Sequence, residues 1–368
     1  MKNLLYVLPL LPALAHGSFS KPELLARFMF SGAWNAPDNT WCFGGEPVGL
    51  RGRAYLNCLD SASGLMASFG KEGPKILARV QADLAFSKPV ISSEKVHWYE
   101  FSELTSTRAY SANPTVSKIE IGNLGPFHDS NDSFLPFSAN VYFFKSKGSK
   151  PELWFWQNNV VTSFFHPQAS YIFYPVIGAR GEIAVKTRQK DLEESSPDKL
   201  WHFRTQWRVF LEDRDSNPSS PWLGFRHQVA VDGDRILVIA RDRLGEVLLL
   251  VEEGRTKMIA REGVELKRFD YFSPKMRAGV IVVRGEDFQG NKVTYVKDQG
   301  SFRPLLAQGD IIQTDLGPGR VFYQNPNALF YGAPGLDEEG NIYLQATLTD
   351  PDYPQTLLGV GLIKFNKE

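Results

Sequence analysis

Cysteine is scarce in this sequence: 368 residues contain two, Cys42 and Cys58. With only six histidines besides, the chain lacks the closely spaced Cys and His sets that zinc or iron–sulfur sites need, so no metal is expected. In an oxidising compartment a lone pair is a disulfide candidate, and a Cys42–Cys58 bridge is expected; two buried free thiols are the competing reading. Charge of either sign is also missing in excess. Lys plus Arg number 41 and Asp plus Glu number 41. That balance argues against nucleic-acid binding and removes net-charge steering towards anionic membranes. No apolar run is long enough to span a bilayer. No Gly-x-Ser-x-Gly elbow, P-loop or dinucleotide fingerprint occurs, so no cofactor is expected.

The first residues read as an export signal. Lys2 gives a short positive start, Leu4 to Leu14 is apolar apart from Pro9 and Pro12, and Ala13-Leu14-Ala15 fits a small-x-small cleavage site. The expectation is cleavage near Ala15, residues 1–15 forming the signal peptide, and a mature protein, secreted or periplasmic, folding over 16–368 as one domain.

Aromatic residues reach 13%, which with many Val and Ile favours strands. The 31 glycines and 23 prolines are spread along the chain and mark many turns. Beneath them lies a degenerate repeat of about fifty residues. Each copy runs from a Pro through a tight turn into a β-rich run. The clearest are Pro175 to Gly181-Glu-Ile-Ala-Val and Pro334 to Gly340-Asn-Ile-Tyr-Leu. Pro274 leads to Gly279, Pro47 to Gly52, Pro89 to Glu94 and Pro136 to Asn140; a copy without Pro turns at Asp234. Gly, Asn or Asp at six of these seven turns suits the left-handed backbone of a short hairpin. Call the strand before each turn A and the one after it B. A third run, such as Glu246 to Val251 or Lys292 to Val296, gives C. The recurring Leu24-Leu-Ala-Arg27, Ile76-Leu-Ala-Arg79, Met258-Ile-Ala-Arg261 and Leu305-Leu-Ala-Gln308 give D.

Four antiparallel strands repeated seven times predict an all-β, seven-bladed β-propeller. The chain opens on a lone D strand, Leu24 to Arg27, and closes on a C strand, Leu357 to Phe365. The first therefore completes the blade the last leaves open, and removes an exposed sheet edge. The unit resembles secreted tandem-repeat propellers with a degenerate Asn-x-x-Gly-x-x-Ala-Phe motif, best matched by Gly178-Ala-Arg-Gly181-Glu-Ile-Ala184-Val185. It is similar, more loosely, to propeller repeats with a Pro-x-x-Ser-Pro-Asp-Gly turn. The resemblance implies fold and leaves chemistry open.

The D–A and B–C connections are longer than the A–B and C–D turns and leave the same end of a propeller, which makes that end the expected ligand face. Trp34, Trp41 and Trp222 fall in D–A connections, where they either stack on a ligand or plug gaps between blades. His128, His166 and His227 are further ligand candidates. Asp213-x-Asp215-x-Asn217 resembles the start of a calcium loop but lacks its Gly and late Glu, so an Asx-rich turn is expected there. Arg27, Arg79 and Arg261 on outer strands suit salt bridges. The expected function is a non-enzymatic binding propeller, taken to be a monomer, that recognises a protein or glycan. The alternative is a carbohydrate-active hydrolase or lyase with acids or His at the channel mouth.

Overall fold

A computed structural model describes residues 19–29, 32–34, 46–59, 64–80, 85–86, 88–92, 94–101, 108–112, 119–123, 134–138, 141–145, 153–157, 160–165, 169, 171–173, 175–189, 197–272, 274–323 and 328–368. These residues form strands and turns and no helix. The strands hydrogen-bond into seven sheets. Sheet one joins Val48–Leu50, Arg53–Leu59, Gly64–Gly70 and Gly73–Val80, antiparallel and in chain order. Sheets two to six repeat that order, ending on Ile119–Asn123, Val160–Phe165, Trp207–Glu212, Arg255–Arg261 and Arg303–Ala307.

Sheet seven draws on both ends of the chain. Phe330–Leu336, Ile342–Thr349 and Leu357–Phe365 supply A, B and C, and Glu23–Met29 pairs with Leu357–Phe365 as D. Arg27 anchors this seam: its guanidinium meets both Asp315 oxygens at 3.0 Å and donates to Leu358 O at 2.6 Å. The sheet also carries a hairpin, Ile311–Thr314 and Gly317–Val321, folded from the connection that precedes it. The innermost strands lie side by side in chain order, and Phe330–Leu336 of sheet seven neighbours Val48–Leu50 of sheet one. A Cβ on Gly335 would stand 2.0 Å from Pro47 O, so only glycine permits that approach.

The repeat has a local cause. In every sheet the D strand holds one extra residue against C, a β-bulge, at Leu25, Leu77, Ile121, Phe164, Phe210, Ile259 and Leu305. A bulge bends and twists the strand that carries it. In Leu24-Leu25-Ala26-Arg27 and its relatives the bulged residue is the second, and Arg27 and Arg261 pair with Asp315 and Asp242 as expected of outer-strand arginines. One copy aligns differently: Pro304-Leu305-Leu306-Ala307 is the equivalent stretch, one residue earlier than the sequence suggested.

The described A–B turns fall at or beside the expected positions; Asn140 lies outside the described residues. Gly52, Gly181, Gly279 and Gly340 have positive φ, and so does Glu94, at 58°. In the Pro-less copy the left-handed residue is Gly233, one before Asp234. The first hairpin turns at Arg51–Gly52, with Leu50 facing Arg53. Cys58 is buried in the core, and Cys42 lies outside the described residues.

The core consists of apolar layers between neighbouring sheets. One joins Leu237, Ile239 and Leu248 of sheet five to Ile281 and Val283 of sheet six. Another joins Val280, Val282 and Val296 of sheet six to Ile342 and Leu344 of sheet seven. Alternating B- and C-strand residues face opposite neighbours, so these central strands read as continuous apolar runs rather than as half-polar ones.

Candidate functional site

The innermost strands are not continuous. In five sheets they leave the ladder near their start and spend more residues than the B strand beside them. The detours lie between Phe86 and Val90, Ile172 and Val176, Phe225 and Val229, Phe269 and Lys275, and Tyr331 and Gly335. Pro89, Pro175, Pro274 and Pro334 each close or border a detour. A proline has no N–H for the ladder, so it marks where a strand leaves it. The strand starts are the ends joined to the D–A connections, so the detours gather at the long-loop end of the sheets.

Three of them bring aromatic rings into a row. Phe173 of sheet four stacks on His227 of sheet five at 5.5 Å and 17°, and His227 meets Tyr271 of sheet six edge-on at 5.7 Å, with Tyr271 Oη 3.4 Å from His227 Nε2. Tyr271 is 68% exposed. Lys186 Nζ sits 4.5 Å and the Arg188 guanidinium 5.5 Å from the Phe173 ring centre, within cation–π range. Burial, reinforced by Lys186, Arg226 and Arg188, holds His227 below the usual imidazole value, so it is neutral at pH 7.

Behind the row, cations hold the detours in place. A strand leaving its ladder strands a backbone N–H and C=O, which must find other partners. For Phe225 both come from sheet four: Lys186 Nζ donates to its carbonyl, and Asp198 Oδ2 accepts from its N–H at 3.3 Å. Lys186 and Asp198 are almost wholly buried and meet at 2.8 Å, and Asp198 also takes Arg188 Nε and Nη2 at 2.7 and 3.0 Å. Burial pulls Lys186 down to about 8, with Asp198 opposing it. The device recurs. Arg226, paired with Glu246, donates to Asp270 O of sheet six, and Arg284 of sheet six donates to Gly332 O of sheet seven. Arg284 also meets Asp270 Oδ2 at 3.3 Å and lies over the Phe272 ring at 4.1 Å; burial brings it down to about 10, still charged at pH 7. Across the opening, Glu46 sits 3.3 Å from both Lys275 of sheet six and Lys88 of sheet two, and Lys275 leads in lowering its carboxyl to about 2.

Charged groups of both signs meet at this mouth: Lys88, Lys186, Arg188, Arg226, Lys275 and Arg284 lie among Glu46, Asp198, Asp213, Glu246, Glu262 and Asp270. Beside the row, Arg188, Arg226, Arg241, Glu246, Phe225 and Ile239 wall a pocket of about 200 Å³. The Arg241 side chain is exposed.

Of the residues expected to meet a ligand, His227 stands in the aromatic row. Trp222 is half-buried and packs against the core of sheet five, which is the gap-filling role. Trp34 lies on Gly32–Trp34, an edge strand pairing with Glu23–Met29, away from the mouth. Trp41, His128 and His166 fall outside the described residues. Asp213 builds an Asx turn, accepting from Ser216 N at 2.9 Å, and caps Asp198 N at 2.8 Å. Phe173 and Tyr271 went unnoticed in the sequence, although each lies two or three residues before a repeat proline. No group of three or more His, Cys, Asp or Glu that could hold a metal occurs among the described residues.

Solved structures define the class: the fold is a β-propeller. The β-propeller domain of the Trilobed protease from Pyrococcus furiosus matches with a TM-score of 0.56 and 13% identity, over 89% of this chain and 95% of that one. That domain is described as having an open velcro topology, whereas here the two end strands pair. Pyrococcus horikoshii acylaminoacyl peptidase (TM-score 0.54, 12% identity) and a Mycobacterium tuberculosis puromycin-hydrolysing peptidase (0.52, 9%) match over 84% and 86% of this chain. The chain spans about half the length of those two peptidases, 49% and 52%. No family model and no curated protein matches the sequence.

Proposed function

We propose that this chain is a non-enzymatic binding module: a closed seven-bladed propeller, monomeric, acting outside the cytoplasm and meeting a protein or glycan ligand with its long-loop end. Its closure is supported by seven sheets whose innermost strands neighbour one another around a circuit and by the pairing of Glu23–Met29 with Leu357–Phe365. Export is supported by the Lys2 start and the apolar stretch to Leu14. A Cys42–Cys58 bridge belongs to the same reading.

The observation that carries the ligand face is where apolar side chains are left in water. Among the described residues, Leu244, Phe288 and Tyr353 stand exposed in the B–C connections of three successive sheets, with Leu244 at 81%. Val264, Ile311, Leu316 and Tyr323 stand exposed in the D–A connections around them, and Tyr271 in the detour of sheet six. Only Val209 and Met258 of the large exposed apolar residues lie on outer strands. Grouped exposed apolar side chains mark interaction surfaces. The buried cations at the mouth serve to fix backbone carbonyls, which suits a rigid binding platform.

The test places a photocrosslinking residue at Phe288 or Tyr353, with one at Glu338 on the opposite end as control, and pairs this with a glycan array. Crosslinks or array signal lost on changing Leu244, Phe288 and Tyr353 to Ser support the reading. Crosslinks confined to position 338, or release of reducing ends from an arrayed oligosaccharide, count against it.

A further inference from the structure

We infer that the pocket beside the aromatic row takes one ring of an acidic saccharide, its carboxylate directed to Arg241 and its neighbouring ring stacked on His227 and Tyr271. This deepens the binding reading above and rests on it.

Three observations meet here. First, the arginines of the pocket are unequally committed. Arg188 is held by Asp198 and Arg226 by Glu246, each through two nitrogens. Arg241 has no side-chain hydrogen bond or ion pair among the described residues, and its position is fixed from the backbone, where Arg241 O accepts from Leu223 N at 2.7 Å. A guanidinium so placed is an open site for a planar anion, and a carboxylate matches its fork. Asp198 does not compete, because Lys186 and Arg188 already saturate it.

Second, the size and lining suit one sugar ring. About 200 Å³ is smaller than the several hundred Å³ of a drug-sized site. Leu223, Phe225 and Ile239 offer apolar faces between the charged groups, as a ring with C–H faces and polar edges requires.

Third, the pocket borders the aromatic row: of its lining residues, Arg188 lies 5.5 Å from the Phe173 ring centre and Arg226 donates to the carbonyl of Asp270, the residue before Tyr271. Phe173, His227 and Tyr271 come from equivalent detours of three adjacent sheets, so the stacking surface extends from blade to blade. A single small anion would leave that surface unused, whereas a chain of rings would cover it.

The experiment is calorimetric titration of the full chain with a hexuronate trimer, with the matching neutral hexose trimer and with acetate as a free carboxylate. The uronate trimer is expected to bind, and the neutral trimer and acetate at least about tenfold more weakly, the scale of one lost charge-assisted hydrogen bond. Arg241→Ala should weaken the uronate about tenfold or more with an unchanged melting curve, Arg241→Lys should recover part of it, and Tyr271→Ala should weaken both trimers. Equal binding of the uronate and neutral trimers overturns the inference and leaves the binding face standing. Acetate binding as tightly as the uronate overturns it too, since the rings then contribute nothing. If no saccharide binds, the inference falls, and the crosslinking test alone decides whether the long-loop face binds a protein instead.

Discussion

Changing Asp198 to Asn removes a negative charge from a place with almost no access to water. Asp198 and Lys186 are 1% and 2% exposed. Asp198 balances Lys186, holds Arg188 and takes the N–H of Phe225. Breaking a buried ion pair by neutralising one partner costs about 3–5 kcal/mol. Arg188 can turn towards solvent, so most of that loss comes through Lys186. With an unfolding entropy of about 2 cal/mol/K per residue, this corresponds to a Tm lower by roughly 4–7 °C for a chain of this length.

The pH response carries the more specific signature. Lys186 titrates at about 8 in the fold and near its ordinary value of about 10.4 when unfolded. Between those values the unfolded chain holds the extra proton, so this group makes stability rise with pH across that window. In Asp198→Asn the partner that raises the folded value is gone, and the window opens below pH 8. The deficit of the variant should therefore narrow between pH 7 and pH 9. Lys186→Met combined with Asp198→Asn removes both charges and should recover most of the loss. Scanning calorimetry across that pH range reads all of this. A loss below about 1 kcal/mol for Asp198→Asn, or a double variant that falls by the sum of the singles, refutes the reasoning.

Other outcomes follow from the same structure. Arg27→Ala strips the end-strand seam of its contacts with Asp315 and Leu358 and should cost about 1.5–3 kcal/mol in urea denaturation. Gly335→Ala drives a Cβ into Pro47 O and should cost about 3 kcal/mol or more, read as Tm or as loss of folded protein. Ala278→Gly relieves a left-handed residue, φ 51°, and should stabilise by about 1 kcal/mol. His227 is neutral in the fold because burial and nearby cations lower it. Below its unfolded value of about 6.5 the unfolded chain binds the extra proton, so stability falls as pH drops from 7 to 5. His227→Gln should flatten part of that fall in a pH series of melting curves.

Much of the architecture could be read from residue order. The D-strand motif was legible because the bulged position recurs as an apolar residue at one fixed place, as at Leu25, Leu77 and Ile259. The end strands were legible because a lone D strand at the start and an unfinished sheet at the finish require one another. Register was less so. Gly233 and Asp234 both tolerate a left-handed turn, and Leu305 and Leu306 are chemically alike, so neither choice could be made without the ladder. The mouth was the least legible part. Lys186, Asp198, Arg226 and Arg284 look like ordinary strand-end charges until the detours show which carbonyls need donors. The prolines that end those detours were noticed as turn signals, yet their consequence, a strand leaving its sheet and carrying Phe173 or Tyr271 inward, depends on neighbouring blades. Trp34 and Trp222 drew attention by residue type alone, and Trp222 fills a gap in the core.

The pairing of the two end strands is tested most directly by crosslinking. Glu23 and Lys364 face one another across the seam. Cysteines placed at both positions, with Cys42 and Cys58 changed to Ser, should oxidise to an intramolecular disulfide that shifts non-reducing gel mobility and raises Tm. Thiols that stay free under oxidant in the folded protein would contradict the closed ring.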